Sequence, residues 1–297
     1  MDTPLGRYFS AVWRLLRFDR PIGIWLLLWP TLWGLWLAAD GAPPLKILMI
    51  FVTGVVLMRA AGCAINDYAD RDFDPHVART CNRPLATGEL APRHALGWAT
   101  LLAAISLILV LFTNALTIAY AAVAAVLAAT YPWAKRFHSF PQVHLGIAFA
   151  WAIPMGWTAI HGTHPGPDVW LLFTITIVWI VVYDTFYAMT DRDDDRKIGV
   201  KSSAIAFGEH DRLITGLLQA MFIAGLVMLG LRLEYGITWF IGVALAGLLS
   251  FHQQVLIVSR VPADCLRAFR NNHWLGLIVF SALVIDRFLA DFGKSVG

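Results

Sequence analysis

Long apolar runs, broken by short polar connections, follow one another along nearly the whole chain. Stretches such as IGIWLLLWPTLWGLWLAA, ILMIFVTGVVLM and VWLLFTITIVWIVVY approach or reach the ~20 apolar residues that a helix needs to cross ~30 Å of hydrocarbon. No stretch alternates as a membrane barrel strand does. The pattern predicts nine helical spans, at about 22–38, 46–66, 95–112, 115–132, 143–161, 168–189, 213–231, 235–257 and 272–290.

Composition strengthens this reading. The chain is 58% hydrophobic and 14% charged, with thirteen Trp and a mean hydropathy of +0.64, against roughly 25% charged residues in ordinary soluble proteins. The first span is not a cleaved signal peptide, because it follows a polar start carrying Arg7, Arg14, Arg17 and Arg20 and precedes further spans. The expectation is an all-α integral membrane protein, one polytopic domain over residues 1–297, with no soluble domain and no long linker. With the N-terminus cytoplasmic, eighteen Lys and Arg fall on the inside and only Lys46, Arg232, Arg287 and Lys294 on the outside, the asymmetry of the positive-inside rule. Cys63, Cys81 and Cys265 are odd in number and lie in or beside inward-facing regions, so reduced thiols are expected.

Against this apolar background the acids are concentrated in two knots. NDYADRDFD, 66–74, holds four carboxylates in nine residues, and DRDDD, 191–195, ends another apolar run. Asn66, Asp70 and Asp74 recur every four residues and form one polar stripe if the second span continues, with Asp67 bordering it. Asp184, Asp191 and Asp195 keep one face of the sixth span, with Tyr187 on it. Solvated helix ends are the plain explanation of an isolated DxxxD. Here it fits poorly, since acids at a helix C-terminus face the negative end of the macrodipole and crowded carboxylates repel one another. Cationic compensation is required. Hard divalent ions suit oxygen-rich sites, and Mg²⁺ uses one or two carboxylates plus phosphate oxygens. Arg79, Arg83, Lys135 and Arg136 lie on the same side and suit non-bridging phosphate oxygens.

RAAGCAINDYADRDFDPHVARTCNRPLATGEL and YDTFYAMTDRDDDRKIGVKSSAIAFG resemble the two signature regions of the membrane-embedded aromatic prenyltransferases. RFDRPIGIWLLLWPTLWGL and YPWAKRF fit as well, so the resemblance covers most of the chain. It implies about nine helices bundled around a central cavity with a cytoplasmic polar cap, in a bacterial-type inner membrane. It further implies Mg²⁺-dependent transfer of a polyprenyl group from polyprenyl diphosphate to the ring carbon ortho to the hydroxyl of 4-hydroxybenzoate, a step of ubiquinone biosynthesis. On that resemblance NxxxDxxxD falls on Asn66, Asp70 and Asp74, DxxxD on Asp191 and Asp195, and YxxxK on Tyr131 and Lys135. Metal and diphosphate are then held by Asn66, Asp67, Asp70, Asp74, Asp191 and Asp195, with Arg79, Arg83, Tyr131, Lys135, Arg136 and Tyr187 toward the substrates. The partners are polyprenyl diphosphate, 4-hydroxybenzoate and the bilayer; no nucleic acid is expected.

Arg59 lies inside the second span, seven residues before Asn66 and on nearly the same face. An intramembrane Arg marks function by default: the acceptor carboxylate would partner it, as would a neighbouring helix or a clustered acid. The proton acceptor stays open between Asp191, another member of its cluster, and diphosphate itself. His76, His94, His161 and His164 lack ligand partners at metal spacing. An ion-coupled transporter would instead place ionisable groups near the midplane, often in broken helices.

Overall fold

The structure is a computed structural model that describes residues 3–296, with side chains for all but Lys135 and residues 294–296. It is helical, with no strand among the described residues: α1 Pro4–Leu15, α2 Ile22–Ala39, α3 Leu45–Asp70, α4 Pro92–Leu111, α5 Ala115–Phe137, α6 Pro141–Ala150, α7 Ala152–His161, α8 Pro167–Ile198, α9 Ser203–Phe207, α10 Asp211–Arg232, α11 Ile237–Leu256 and α12 Pro262–Val296. Local chemistry marks many of the boundaries. Proline occupies the first turn of α1, α4, α6 and α8, where its missing N–H costs nothing. The Asn114 side chain accepts from Thr117 N to start α5. Gly162 and Gly199, at φ 66° and 74°, end α7 and α8 in the left-handed region.

Among the described residues, eight segments are long and apolar enough to cross a membrane. The ninth expected span, 272–290, lies within α12, which runs from one end of the bundle to the other. Near its far end Asp286 accepts from Gly236 N, and Arg287 pairs with Asp40 at 2.9 Å. The expected span 143–161 is two helices meeting at Trp151. Pro154 has no N–H to offer the carbonyl four residues back, which interrupts the ladder there. α1 was not among the expected spans, being too short to cross. It buries Ala11, Val12 and Leu15 in a cluster with Ala60, Ala61 and Ala64 of α3 and leaves Leu5, Phe9 and Trp13 exposed, the apolar edge of an interfacial helix.

Successive long helices alternate in direction, and polar contacts tie each end. At one end Arg17 meets Asp67, Arg79 meets Asp191, and Arg260 meets Asp211. At the other, Arg232 meets Asp168, and Asn114 donates to Thr158 O. The main core sits among α2, α8, α10, α11 and α12, where Trp29, Trp33, Trp179, Phe222 and Trp239 are buried. Leu213, Leu217, Leu231, Leu245 and Leu248 stay on the outside, as an outer band facing lipid requires.

Candidate active site

A cavity of about 820 Å³ opens between α2, α3, α4, α5, α6 and α8. At the end where the polar connection 71–91 closes over it, its wall carries Asn66, Asp67, Asp70, Asp74, Asp191 and Asp195; away from there it is faced by Phe51, Val55, Val110, Ile118, Ala121 and Ala125. One end is charged and the remainder is apolar.

Helix register places the acids. α8 runs unbroken through Asp184, Tyr187, Asp191 and Asp195 to Ile198, and all four of those side chains line the cavity, as the seven-then-four spacing requires. α3 stops at Asp70. The expected continuous stripe is therefore interrupted, and Asp74 instead opens a short 3₁₀ turn, Asp74–His76. That turn returns Asp74 to the neighbourhood of Asp67 and Asp70, where it is buried. Burial pushes the Asp74 carboxyl above its ordinary pKa, repulsion from Asp67 and Asp70 adds to this, and Arg83 opposes it.

Guanidinium groups balance these charges. Arg79 donates through Nε and NH2 to Asp191 at 2.6–3.0 Å and lies 4.4 Å from the Tyr187 ring centre. Arg83 donates to both oxygens of Asp74 at 2.9 and 3.0 Å and meets Asp67 at 3.0 Å. Burial works against the Arg83 charge, but Asp67 and Asp74 outweigh it and hold its pKa above the ordinary value. Asn66 donates to Asp70 at 3.1 Å. Asp67 is almost fully buried, and its carboxylate is held by Arg83 and by two bonds of 2.7 and 2.9 Å from Arg17. Asp67, expected toward the metal, is the shared partner of two arginines here.

Three expected site residues stand differently from the rest. Arg136 does not line the cavity; it donates to Ala69 O and covers the Phe73 ring at 5.3 Å, which caps the end of α3. Tyr131 does line it, on α5 one residue before Pro132. The Lys135 side chain lies outside the described residues.

Deeper in the cavity, Arg59 points toward α2. Its Nε has no hydrogen-bond partner among the described residues, NH1 contacts Cys63 Sγ at 3.0 Å, and Phe149 lies 5.9 Å below the guanidinium. A Cβ at Gly23 would overlap that guanidinium, so the glycine of RPIG makes room for it. Sequence spacing gave no warning of Arg17, whose φ of 60° lets the chain turn after α1 and whose partner is fifty residues away. Arg20, Tyr183, Lys201 and Arg270 also line the cavity; all four are near helix ends or on a span already marked, without a spacing that ties them to the acids.

The charged end supplies hard oxygen donors. Among the described residues no group of three His, Cys, Asp or Glu is arranged to hold an ion alone. That donor set fits Mg²⁺, which keeps waters and takes phosphate oxygens beside one or two carboxylates.

Comparison with known proteins extends this picture. The chain is 55% identical over 273 residues, 92% of its length and 93% of the relative's, to a protein of Alkalilimnicola ehrlichii named 4-hydroxybenzoate octaprenyltransferase. Among solved structures it resembles a UbiA homolog from Aeropyrum pernix K1, with a TM-score of 0.79 at 25% identity over 89% of this chain and 97% of that one. It also resembles an Archaeoglobus fulgidus UbiA homolog bound to GPP and Mg²⁺, with a TM-score of 0.71 at 21% identity over 92% and 99% of the two chains. The UbiA prenyltransferase family matches residues 27–277, which take in both acidic motifs, Arg59 and the whole cavity wall from α3 to α8; this multi-pass membrane protein belongs to that family.

Proposed function

We propose that the protein transfers a polyprenyl group from polyprenyl diphosphate to the ring carbon ortho to the hydroxyl of 4-hydroxybenzoate, releasing diphosphate, as a step of ubiquinone biosynthesis. The observation that carries this reading is the division of the cavity: two facing acidic motifs with their arginines at one end, an apolar channel beyond. Such a cavity suits a substrate with a diphosphate head and a long hydrocarbon tail.

Asn66, Asp70, Asp74, Asp191 and Asp195 would hold the head through Mg²⁺. When bound there, Mg²⁺ supplies positive charge that stabilises the departing diphosphate. Arg79 and Arg83 exchange their carboxylate partners for non-bridging oxygens as the diphosphate arrives, and Lys135 and Tyr131 belong to the same end. The chain's own apolar residues keep water from C1 of the allylic group while it gains cationic character, and Tyr187, with Arg79 over its ring, borders them on the same wall. Arg59, whose Nε–NH2 edge is seated against Gly23 of α2, holds the acceptor carboxylate through the NH1–NH2 end of its guanidinium. The expected setting is a bacterial-type inner membrane with the N-terminus and the charged end cytoplasmic.

The test is transfer from labelled polyprenyl diphosphate in purified membranes, with 4-hydroxybenzoate and a panel of other phenols, with and without EDTA. The reading expects 4-hydroxybenzoate to be preferred and chelation to abolish turnover until Mg²⁺ is restored. Equal turnover in EDTA, or preference for a phenol lacking the carboxylate, overturns it.

A further inference from the structure

We infer that Asp184 is the group that takes the acceptor's phenolic proton. This rests on the function proposed above and adds to it the identity of the base. Asp184 lies on the cavity wall, two helical turns before Asp191 on the same face of α8, and so about 10 Å deeper than the diphosphate end. Arg59 on α3 stands at the matching depth, two turns before Asn66. Each of the two motif helices thus carries one charge at the level of the acceptor, positive on α3 and negative on α8.

The two do not satisfy each other. Among the described residues Asp184 forms no hydrogen bond or ion pair, although Arg59 and Arg79 are its nearest cations. Arg59 Nε and the buried Tyr183 hydroxyl likewise lack partners. An unpaired carboxylate on the cavity wall and an unpaired buried hydroxyl are costly, and with the Arg59 guanidinium on the same cavity they describe a place for a ligand with polar groups at opposite ends. A hydroxybenzoate has that form: its carboxylate takes Arg59 and its hydroxyl meets Asp184. Asp191, the other candidate on this helix, is engaged by both Nε and NH2 of Arg79 and is assigned to the diphosphate.

The step balances. The phenolic proton passes to an Asp184 oxygen as the ring π electrons at the ortho carbon form the bond to C1 of the prenyl chain. The C1–O bond breaks, its electron pair leaving with diphosphate. The dienone then loses the proton from the alkylated carbon to the released diphosphate, the C–H pair restores the ring, and Asp184 returns its proton to the oxygen.

The test compares Asp184→Asn with the wild type on two acceptors, 4-hydroxybenzoate and 3-fluoro-4-hydroxybenzoate, whose phenol ionises more readily. General-base loss predicts a fall in kcat of about 10²–10³-fold on 4-hydroxybenzoate, with the KM for polyprenyl diphosphate unchanged. On the fluorinated acceptor the deficit relative to the wild type should shrink by roughly tenfold, because less proton transfer remains to be done. Equal deficits on both acceptors, or a donor KM that rises with the acceptor KM, overturn Asp184 as the base while wild-type turnover leaves the proposed function standing. If the wild type prenylates another phenol in place of 4-hydroxybenzoate, the function reading fails and the same comparison on that phenol and its fluorinated form still decides the base. Should Asp184→Asn not accumulate in membranes, Asp184→Glu is read in the same way, since a displaced carboxylate slows the unassisted phenol more than the acidified one.

Discussion

The bundle has a packed side and an open side, built on opposite rules. Where α8, α10, α11 and α12 close on α2, side chains sit in glycine notches: a Cβ would overlap Trp29 at Gly276, Trp239 at Gly230 and Ile175 at Gly225. Around the cavity, a Cβ at Gly54 or Gly62 of α3 would meet nothing within 4 Å. Of the most apolar stretch, 61% is buried in α8 and 11% in α5, so α5 is a wall between lipid and cavity and α8 is a core element. Helices in lipid have no hydrophobic drive to associate and rely on close contact and interhelical hydrogen bonds. The packed side supplies that contact, together with an amide chain of Gln219 to Gln253 to Asn271. It also anchors the second acidic motif: Asp211 at the start of α10 binds Arg192 of α8 and Arg260 after α11. The first motif, on the open side, has its own clamp in Arg17 and Arg83 on Asp67.

The strongest way to separate the two sides is to remove charge at their meeting point. Asp70→Asn and Asp191→Asn should each lower prenyl transfer by about 10²–10³-fold, the scale of losing one preorganised electrostatic group. Asp70→Asn should keep thermal stability close to that of the wild type, since an amide relieves carboxylate repulsion, whereas Asp191→Asn also leaves Arg79 without its carboxylate partner and should lower it, so turnover is read per folded molecule. Turnover measured at limiting Mg²⁺ checks this; near-normal rates in both variants would remove the carboxylates from the diphosphate site.

Next in size is a change confined to the packed side. Gly276→Leu puts a side chain where Trp29 already stands, and overpacking of that kind costs about 1–3 kcal/mol. The expected result is a lower unfolding temperature in detergent and less protein in the membrane, with turnover per folded molecule retained. A stable variant with altered acceptor KM would mean that the packed side reaches into the site.

The sequence disclosed these two sides unequally. Apolar run length marked the spans because the hydrocarbon thickness fixes it, and the second motif was legible because α8 stays helical from Asp184 to Asp195. The break of α3 at Asp70 was hidden, because the 3₁₀ turn at Asp74 keeps the same side chain in place by a different backbone path. The pairings Arg17–Asp67 and Arg192–Asp211 join residues by tertiary folding, which no helical period encodes. α1 was missed because a short amphipathic helix has too few apolar residues to register as a span. The glycine notches were equally silent, since Gly54 and Gly276 sit in similar apolar surroundings along the chain and differ only in what faces them.

A smaller effect is expected at Arg59, on the open side. Lysine keeps the charge but loses the planar fork, so Arg59→Lys should raise the KM for 4-hydroxybenzoate about tenfold, equivalent to ~1.4 kcal/mol, and leave the donor KM unchanged. Steady-state kinetics with each substrate varied in turn checks it. A rise in the donor KM alone would move Arg59 to the diphosphate end or to the scaffold.

The smallest effect belongs to the emptiest position. Gly54 lines the cavity and has open space where a side chain would begin, in a helix where glycine is a weak former by ~1 kcal/mol. Gly54→Leu should therefore fold at least as well as the wild type, the reverse of Gly276→Leu. Its side chain would project into the apolar part of the cavity, near Phe51 one turn before it and Val55 next to it on α3, and compete there with the prenyl tail. The head, which the proposed function assigns to the acidic motifs about three turns further along the helix, should bind as before. Short donors such as geranyl diphosphate should then turn over at wild-type rates while long polyprenyl donors slow by a few fold, a shift of under ~1 kcal/mol. Competition between a short and a long donor in one reaction reads this ratio directly. An unchanged ratio would place the tail against another wall, with Ala121 and Ala125 of α5 the next positions to fill, and a loss of stability would show that the open side is more tightly packed than its glycines indicate.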